Sequence, residues 1–377
     1  MLPREIDRSM WRLRAARTLA WALMLGGWVG LGSLSQALAP GPLSAFALQA
    51  LWLLAIGGFA ELIGRLRWQR RVLRALLLCA ALMAAQALSM LLYGGAPVAL
   101  LLALLAWALI IALASAVVRA CRAAVRDRAG PPVGAAATGA VLAWVIVGDI
   151  TDLNALVVRL MLGALAACPL LVVLLAPRTG ASSGCRAGLF DCSLPDWSAG
   201  GWRVPQRWPV LLASFVMLPM MCSLPLMVGL CGNGTVRPQA VLALHFAAMF
   251  APALLMVHRA AVTAAAPRIC AALLALGALI LLLAPGPSAW WGLVLAHGAA
   301  WSVAWAAQLD DRAGRKGTRS SPLFGATLNA LLALALGLAV AMAGLQALTA
   351  GSIALGVTGA LAALAGPIWR GRALHPG

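Results

Sequence analysis

Residues 97–118 read PVALLLALLAWALIIALASAVV, an apolar run that ends abruptly at Arg119, Arg122, Arg126 and Arg128. At ~1.5 Å of rise per residue, an α-helix of that length crosses a hydrocarbon core of about 30 Å. The switch to arginine marks where such a core stops. Runs of the same kind recur along the chain. They predict twelve spans, with approximate limits 18–38, 44–64, 72–93, 97–118, 132–149, 155–176, 208–230, 237–257, 268–285, 288–308, 322–345 and 349–368. They are too long and too evenly apolar for the roughly 10-residue alternating strands of an outer-membrane barrel. The expected fold class is therefore an all-α membrane protein.

Composition agrees. Of 377 residues, 63% are hydrophobic and 10% charged, and the mean hydropathy is +0.95. Soluble chains sit nearer half apolar and a quarter charged. A soluble enzyme, a disordered tail and a disulfide-stapled secreted domain are excluded. The net charge of +18 suggests nucleic acid at first sight, but the arginines lie between spans, where topology accounts for them. The first apolar stretch is read as a span and not a cleavable signal, because it runs long, lacks a small-residue cleavage site and is followed at once by further spans.

The basic residues also set the orientation. Arg4 to Arg17 precede span 1, Arg65 to Arg74 separate spans 2 and 3, and Arg119 to Arg128 follow span 4. Arg178, Arg186, Arg203 and Arg207 lie between spans 6 and 7, Arg259 and Arg268 follow span 8, Arg312 to Arg319 follow span 10, and Arg370 and Arg372 follow span 12. With twelve spans, every one of the 28 Lys and Arg residues except Arg159 and Arg237 falls on one side. Both termini and the central loop of this multi-pass chain are thus expected in the cytoplasm.

The longest polar stretch divides the spans six and six. The expected domains are an N-terminal bundle over 1–177, a cytoplasmic linker over 178–207 and a C-terminal bundle over 208–377. Asp127-Arg128-Ala129-Gly130 after span 4 repeats as Asp311-Arg312-Ala313-Gly314 after span 10, at equivalent places in the two halves. Between spans 2 and 3 the chain reads Gly57-Gly58-Phe59-Ala60-Glu61-Leu62-Ile63-Gly64-Arg65-Leu66-Arg67. Glu61, Gly64, Arg65 and Arg67 match a loop motif of the major facilitator superfamily, although Leu62 stands where a basic residue is usual. The chain as a whole resembles that superfamily. The resemblance implies two six-helix bundles rocking around a midplane site; it names no substrate.

Ionisable groups are scarce within the spans. Asp149, Asp152 and Arg159 cluster at the outer ends of spans 5 and 6, which suits a rim ion pair. The middle of the second half instead holds soft donors. Span 7 carries Met217 and Met221, and span 8 carries His245 and Met249. Residues four apart share a helix face, so each helix aims two donors one way. Counting ~1.5 Å per residue from each span's entry, Met217 and Met221 lie ~12 and ~18 Å from the inner face, and His245 and Met249 ~11 and ~17 Å from the outer face. In a core of ~30 Å, Met221 is level with His245 and Met217 with Met249. Thioether and imidazole suit Cu(I), whereas Mg or Ca would call for carboxylate or carbonyl oxygen. Methionine is also ordinary packing material, and a membrane histidine often bridges helices by a hydrogen bond.

This pair of motifs resembles the copper importers of the major facilitator superfamily, the CcoA-like proteins that supply copper for cbb3-type cytochrome c oxidase. The resemblance implies copper import by alternating access with Met217, Met221, His245 and Met249 as metal ligands. No catalysis and no cofactor are expected; copper is the cargo. Implied partners are the lipid bilayer, a periplasmic copper donor and a cytoplasmic chaperone or P-type ATPase, with no role for nucleic acid. Relatives in the same branch resemble riboflavin transporters and lack the motifs, so an organic-solute carrier stays open, as does a non-transporting assembly factor.

Other donors are weaker candidates. Cys222 adjoins Met221 and Cys231 lies at the outer end of span 7; both are candidate accessory thiols. Cys185 and Cys192 lie in the central loop, where a reducing compartment argues against a disulfide. Cys79, Cys121, Cys168 and Cys270 read as small buried hydrophobes. His258 sits at a helix end, and His297, mid-span in the tenth run, is one further imidazole in the second half.

Overall fold

The computed structural model describes residues 3–39, 41–65, 70–94, 96–124, 132–147, 153–176, 238–256, 260–284, 287–311 and 322–373. Among them the chain is helical throughout, with no strand. Before residue 177 come α1 (Pro3–Leu38), α2 (Pro42–Arg65), α3 (Arg70–Leu92), α4 (Ala96–Ala124), α5 (Pro132–Val147) and α6 (Leu153–Leu174). After residue 237 come α7 (Pro238–Met256), α8 (Ala260–Leu283), α9 (Pro287–Asp311), α10 (Pro322–Ala343) and α11 (Leu345–Ala373). The expected span over 208–230 lies outside the described residues. Among the described residues, seven helices are long and apolar enough to cross a membrane by length and composition: the windows Pro42–Gly64, Val72–Leu92, Val98–Val118, Ala155–Leu174, Ala265–Leu283, Leu323–Ala343 and Gln346–Ala365.

Local chemistry explains the boundaries. Several helices open on proline (Pro42, Pro132, Pro238, Pro287, Pro322), whose fixed φ suits the first turn and whose missing N–H costs nothing there. At the start of α2, the Gly41 N–H donates to Ser44 Oγ at 3.1 Å, and the Ser44 hydroxyl donates to the Gly41 carbonyl at 2.8 Å. Gly344 separates α10 from α11. Its φ is +68°, and its N–H donates to the Val340 carbonyl at 2.8 Å, a left-handed helix terminator that glycine adopts without strain.

Helices run past the predicted spans in places. The first span is expected from residue 18, but α1 begins at Pro3. Hydropathy marks only where the bilayer ends; nothing from Arg4 to Arg17 breaks a helix, so the basic stretch continues it. Likewise α8 begins at Ala260, ahead of the expected 268, and carries Pro267 inside it. The eleven-residue motif at 57–67 matches a loop motif by sequence. Gly57–Arg65 instead form the last turns of α2, and the rest of the motif lies outside the described residues.

The described residues fall into two compact units. The first holds α1 to Leu34, α2 from Leu51, α3 to α6 and the opening of α10 to Thr327. In it α4 is enclosed on most sides: Trp107, Ile110, Ile111 and Leu113 are all buried. Gly139 of α5 lets α5 and α1 approach closely, since a Cβ there would stand 2.9 Å from both the Thr18 carbonyl oxygen and the Ala22 nitrogen. The Arg12 guanidinium donates to the Val173 carbonyl, a cation on the C-terminal carbonyls of α6.

The second unit holds Ser35–Ala50, α7 to α9, α10 from Leu328, and α11. Here α9 packs against both α7 and α8, and α11 against α8. Cys270, Ala271, Leu274, Ala300, Ala304, Ala360 and Ala363 form a core of mostly small side chains. Such residues let membrane helices pack backbone to backbone, because lipid supplies no hydrophobic drive to bring them together. Large apolar side chains such as Leu82, Leu101, Leu283 and Leu361 are exposed on the outside, as lipid contact requires.

Candidate functional site

The second unit contains the described members of the predicted site. His245 and Met249 lie on α7, each 3% exposed. Since α7 opens at Pro238, His245 lies about 11 Å and Met249 about 17 Å along its axis. The opposing candidates Met217 and Met221, and the accessory thiols Cys222 and Cys231, lie outside the described residues. So do Asp149, Asp152, Cys185, Cys192 and His258.

The environment of His245 is specific. Its Nδ1 lies 3.0 Å from the Val294 carbonyl oxygen on α9. A carbonyl only accepts, so Nδ1 carries the proton and donates. In the neutral ring that fixes the tautomer and leaves a lone pair on Nε2. Nε2 is buried and has no hydrogen-bond partner among the described residues. A ring held through one nitrogen by a backbone carbonyl, with the other nitrogen open, is the usual arrangement of a metal-ligating histidine. It is equally able to accept a hydrogen bond from a cargo molecule.

Glycine brings α9 close enough to supply that carbonyl. A Cβ at Gly298 would stand 2.7 Å from Ala248 Cβ and 3.0 Å from the His245 carbonyl oxygen. One turn further, Phe250 and Trp301 meet edge to face with ring centroids 5.8 Å apart. These contacts rise in number together, so α7 and α9 run parallel. Pro252 inside α7 lacks the N–H that would bond to the Ala248 carbonyl, which loosens α7 beside Met249.

The sequence pattern gave His297 little weight. It is 1% exposed, and neither ring nitrogen has a hydrogen-bond partner among the described residues. It lies one turn after Val294 on α9. Gly277 of α8 makes room for it: a Cβ there would stand 3.2 Å from His297 Cδ2. Among the described residues no three or more His, Cys, Asp or Glu side chains gather as a metal-holding group. Among its described residues the second unit offers two imidazoles and the Met249 thioether, not the closed four-ligand set of structural zinc.

The lone cysteines divide. Cys121, Cys168 and Cys270 are buried, as expected, but Cys79 is exposed. It sits on the outer face of α3 beside Leu78 and Leu82, both exposed, a position where a small apolar thiol meets lipid as readily as core. Cys121 lies beyond the apolar window of α4, and burial pushes its thiol up to about 12. Glu61 is half-buried near the end of α2.

The chain is a polytopic all-α membrane protein with the major facilitator fold. Among solved structures it is similar to a D-xylose-proton symporter, with TM-score 0.62 and 14% identity over 94% of this chain and 97% of that one. It is also similar to a bacterial homologue of the iron transporter ferroportin in an outward-facing state, with TM-score 0.63 and 15% identity over 97% and 100% of the two chains. A third is the nucleoside transporter NupG, with TM-score 0.60 and 13% identity over 96% and 98%. At such identities the likeness establishes the fold and leaves the cargo open. No protein-family model matches the chain, and no curated protein does.

Proposed function

We propose that this protein imports copper across the bacterial inner membrane by alternating access, with both termini in the cytoplasm, and that the copper serves assembly of a cbb3-type haem-copper oxidase. Met217, Met221, His245 and Met249 are the proposed ligands. The observation that carries this reading is His245: its Nδ1 is committed to the Val294 carbonyl at 3.0 Å, its Nε2 is buried and unpartnered among the described residues, and Met249 is buried one turn on. Thioether and neutral imidazole favour Cu(I) over hard cations. They bring no charge to offset the ion, so the site holds it without trapping it. The fold is compatible with a metal cargo, since one similar structure is a bacterial homologue of an iron transporter.

Uptake of radioactive copper tests the proposal, in cells carrying His245→Ala, Met221→Ala or Met249→Leu. Each variant is expected to lose most accumulation and to lower oxidase activity, with activity restored by added copper. The D-xylose and nucleoside carriers among the similar structures keep an organic-solute carrier, for example of a flavin, as the second reading. Unchanged copper uptake together with lost uptake of such a solute would establish that reading instead. A non-transporting assembly factor would co-purify with a membrane partner and leave copper accumulation untouched in all three variants.

A further inference from the structure

We infer that His297 is a second imidazole ligand, taking a soft monovalent metal ion together with His245 between α7 and α9. The inference rests on the copper reading above and adds a ligand from a helix that reading does not use.

A histidine buried for packing finds a carbonyl or hydroxyl for its ring, as His245 finds Val294. His297 is almost wholly buried, yet both its nitrogens are unpartnered among the described residues. Burying an unsatisfied polar ring is costly, and such groups in folded proteins usually await a ligand, water or ion. A second, independent unpartnered nitrogen, Nε2 of His245, is buried in the same unit.

Placement brings the two rings together. Val294 is fixed against His245, and Gly298 against the His245 carbonyl and Ala248. That face of α9 is therefore turned towards α7. His297 follows Val294 by three residues, on adjoining surface of the helix. Three residues advance it about 4.5 Å along α9, and Met249 stands about 6 Å beyond His245 along the parallel α7. His297 thus falls at a level between His245 and Met249. The glycine at 277 keeps α8 from filling the ring's place.

The donor set selects the ligand class. The described donors, two neutral imidazoles and a thioether, lack the oxygen that Mg or Ca needs; with the thioethers of Met217 and Met221 in the reading above, the set stays neutral and lacks the thiolates common in structural zinc sites. Cu(I), and Ag(I) as its chemical surrogate, accept few soft ligands.

The test uses the purified full-length chain in lipid nanodiscs. It is loaded anaerobically with Cu(I) in competition with bicinchoninate and examined by copper K-edge absorption. Two imidazole shells per copper are expected in the unaltered protein. In His297→Leu, one shell should remain and the affinity should weaken at least about tenfold. One imidazole per copper in the unaltered protein overturns the role of His297 and leaves the copper reading standing. So does an unchanged affinity and spectrum in His297→Leu. Absence of any Cu(I) binding by the unaltered chain overturns both. The unaltered protein decides the matter even if the variant fails to fold.

Discussion

Replacing Gly298 by alanine tests whether the approach of α9 to α7 is as tight as its geometry implies. The added Cβ would stand 2.7 Å from Ala248 Cβ and 3.0 Å from the His245 carbonyl oxygen. Contacts that close force a shift, and one of the two partners is backbone. Overpacking of this kind costs about 1–3 kcal/mol. Alanine's better helix propensity returns about 1 kcal/mol, so the net effect is a loss of about 0–2 kcal/mol. Gly58 of α2 supplies the control: a Cβ there meets nothing within 4 Å, so Gly58→Ala keeps the propensity gain alone. The two variants should differ by the full overpacking cost, about 1–3 kcal/mol. Equilibrium unfolding in mixed detergent–SDS micelles reads that difference. A shift of α9 also draws the Val294 carbonyl from His245 Nδ1, so Gly298→Ala should weaken Cu(I) binding while Gly58→Ala does not. If Gly298→Ala unfolds at the same SDS fraction as Gly58→Ala, the close packing of α7 on α9 described above is wrong.

Gly139→Ala should likewise be less stable than Gly58→Ala by about 1–3 kcal/mol, because both atoms its Cβ would meet at 2.9 Å are backbone of α1; the same unfolding assay would show it. Gly344→Val should cost roughly 1–2 kcal/mol, since a β-branched residue is strained at φ +68°, and Gly344→Asn should cost less; equal midpoints for the two would contradict a left-handed terminator. Cys121 should resist alkylation in the folded protein from pH 7 to 9. Its raised value of about 12 keeps the thiol protonated through that window. Peptide mass mapping after iodoacetamide should find Cys121 unmodified until SDS is added; labelling that climbs between pH 7 and 9 in the folded chain would refute the burial.

Much of the fold was legible because a bilayer imposes one rule on every span. Leu100 to Val118 could be nothing but a crossing, and the helix observed there, Ala96–Ala124, contains it. The ends were less legible. Residues Arg4 to Arg17 read as a topology signal, yet they are the first turns of α1, since charge says where lipid stops and not where helix stops. At the site, the spacing of His245 and Met249 put both on one helix, and both are buried. The acceptor for His245 was invisible, because it is a backbone carbonyl that any residue at 294 would present. The surroundings of His297 were invisible for a related reason. It has no donor four residues away to form a motif, and the room for its ring comes from Gly277, whose value lies in the side chain it lacks.

The bond from His245 to Val294 joins two helices through a proton. While the carbonyl stays within reach, the imidazole offers its lone pair on Nε2. Without that carbonyl nothing would hold the proton on Nδ1, and the two neutral tautomers would be free to exchange. On the copper reading, the packing of α9 on α7 therefore decides whether Nε2 presents a lone pair or a proton.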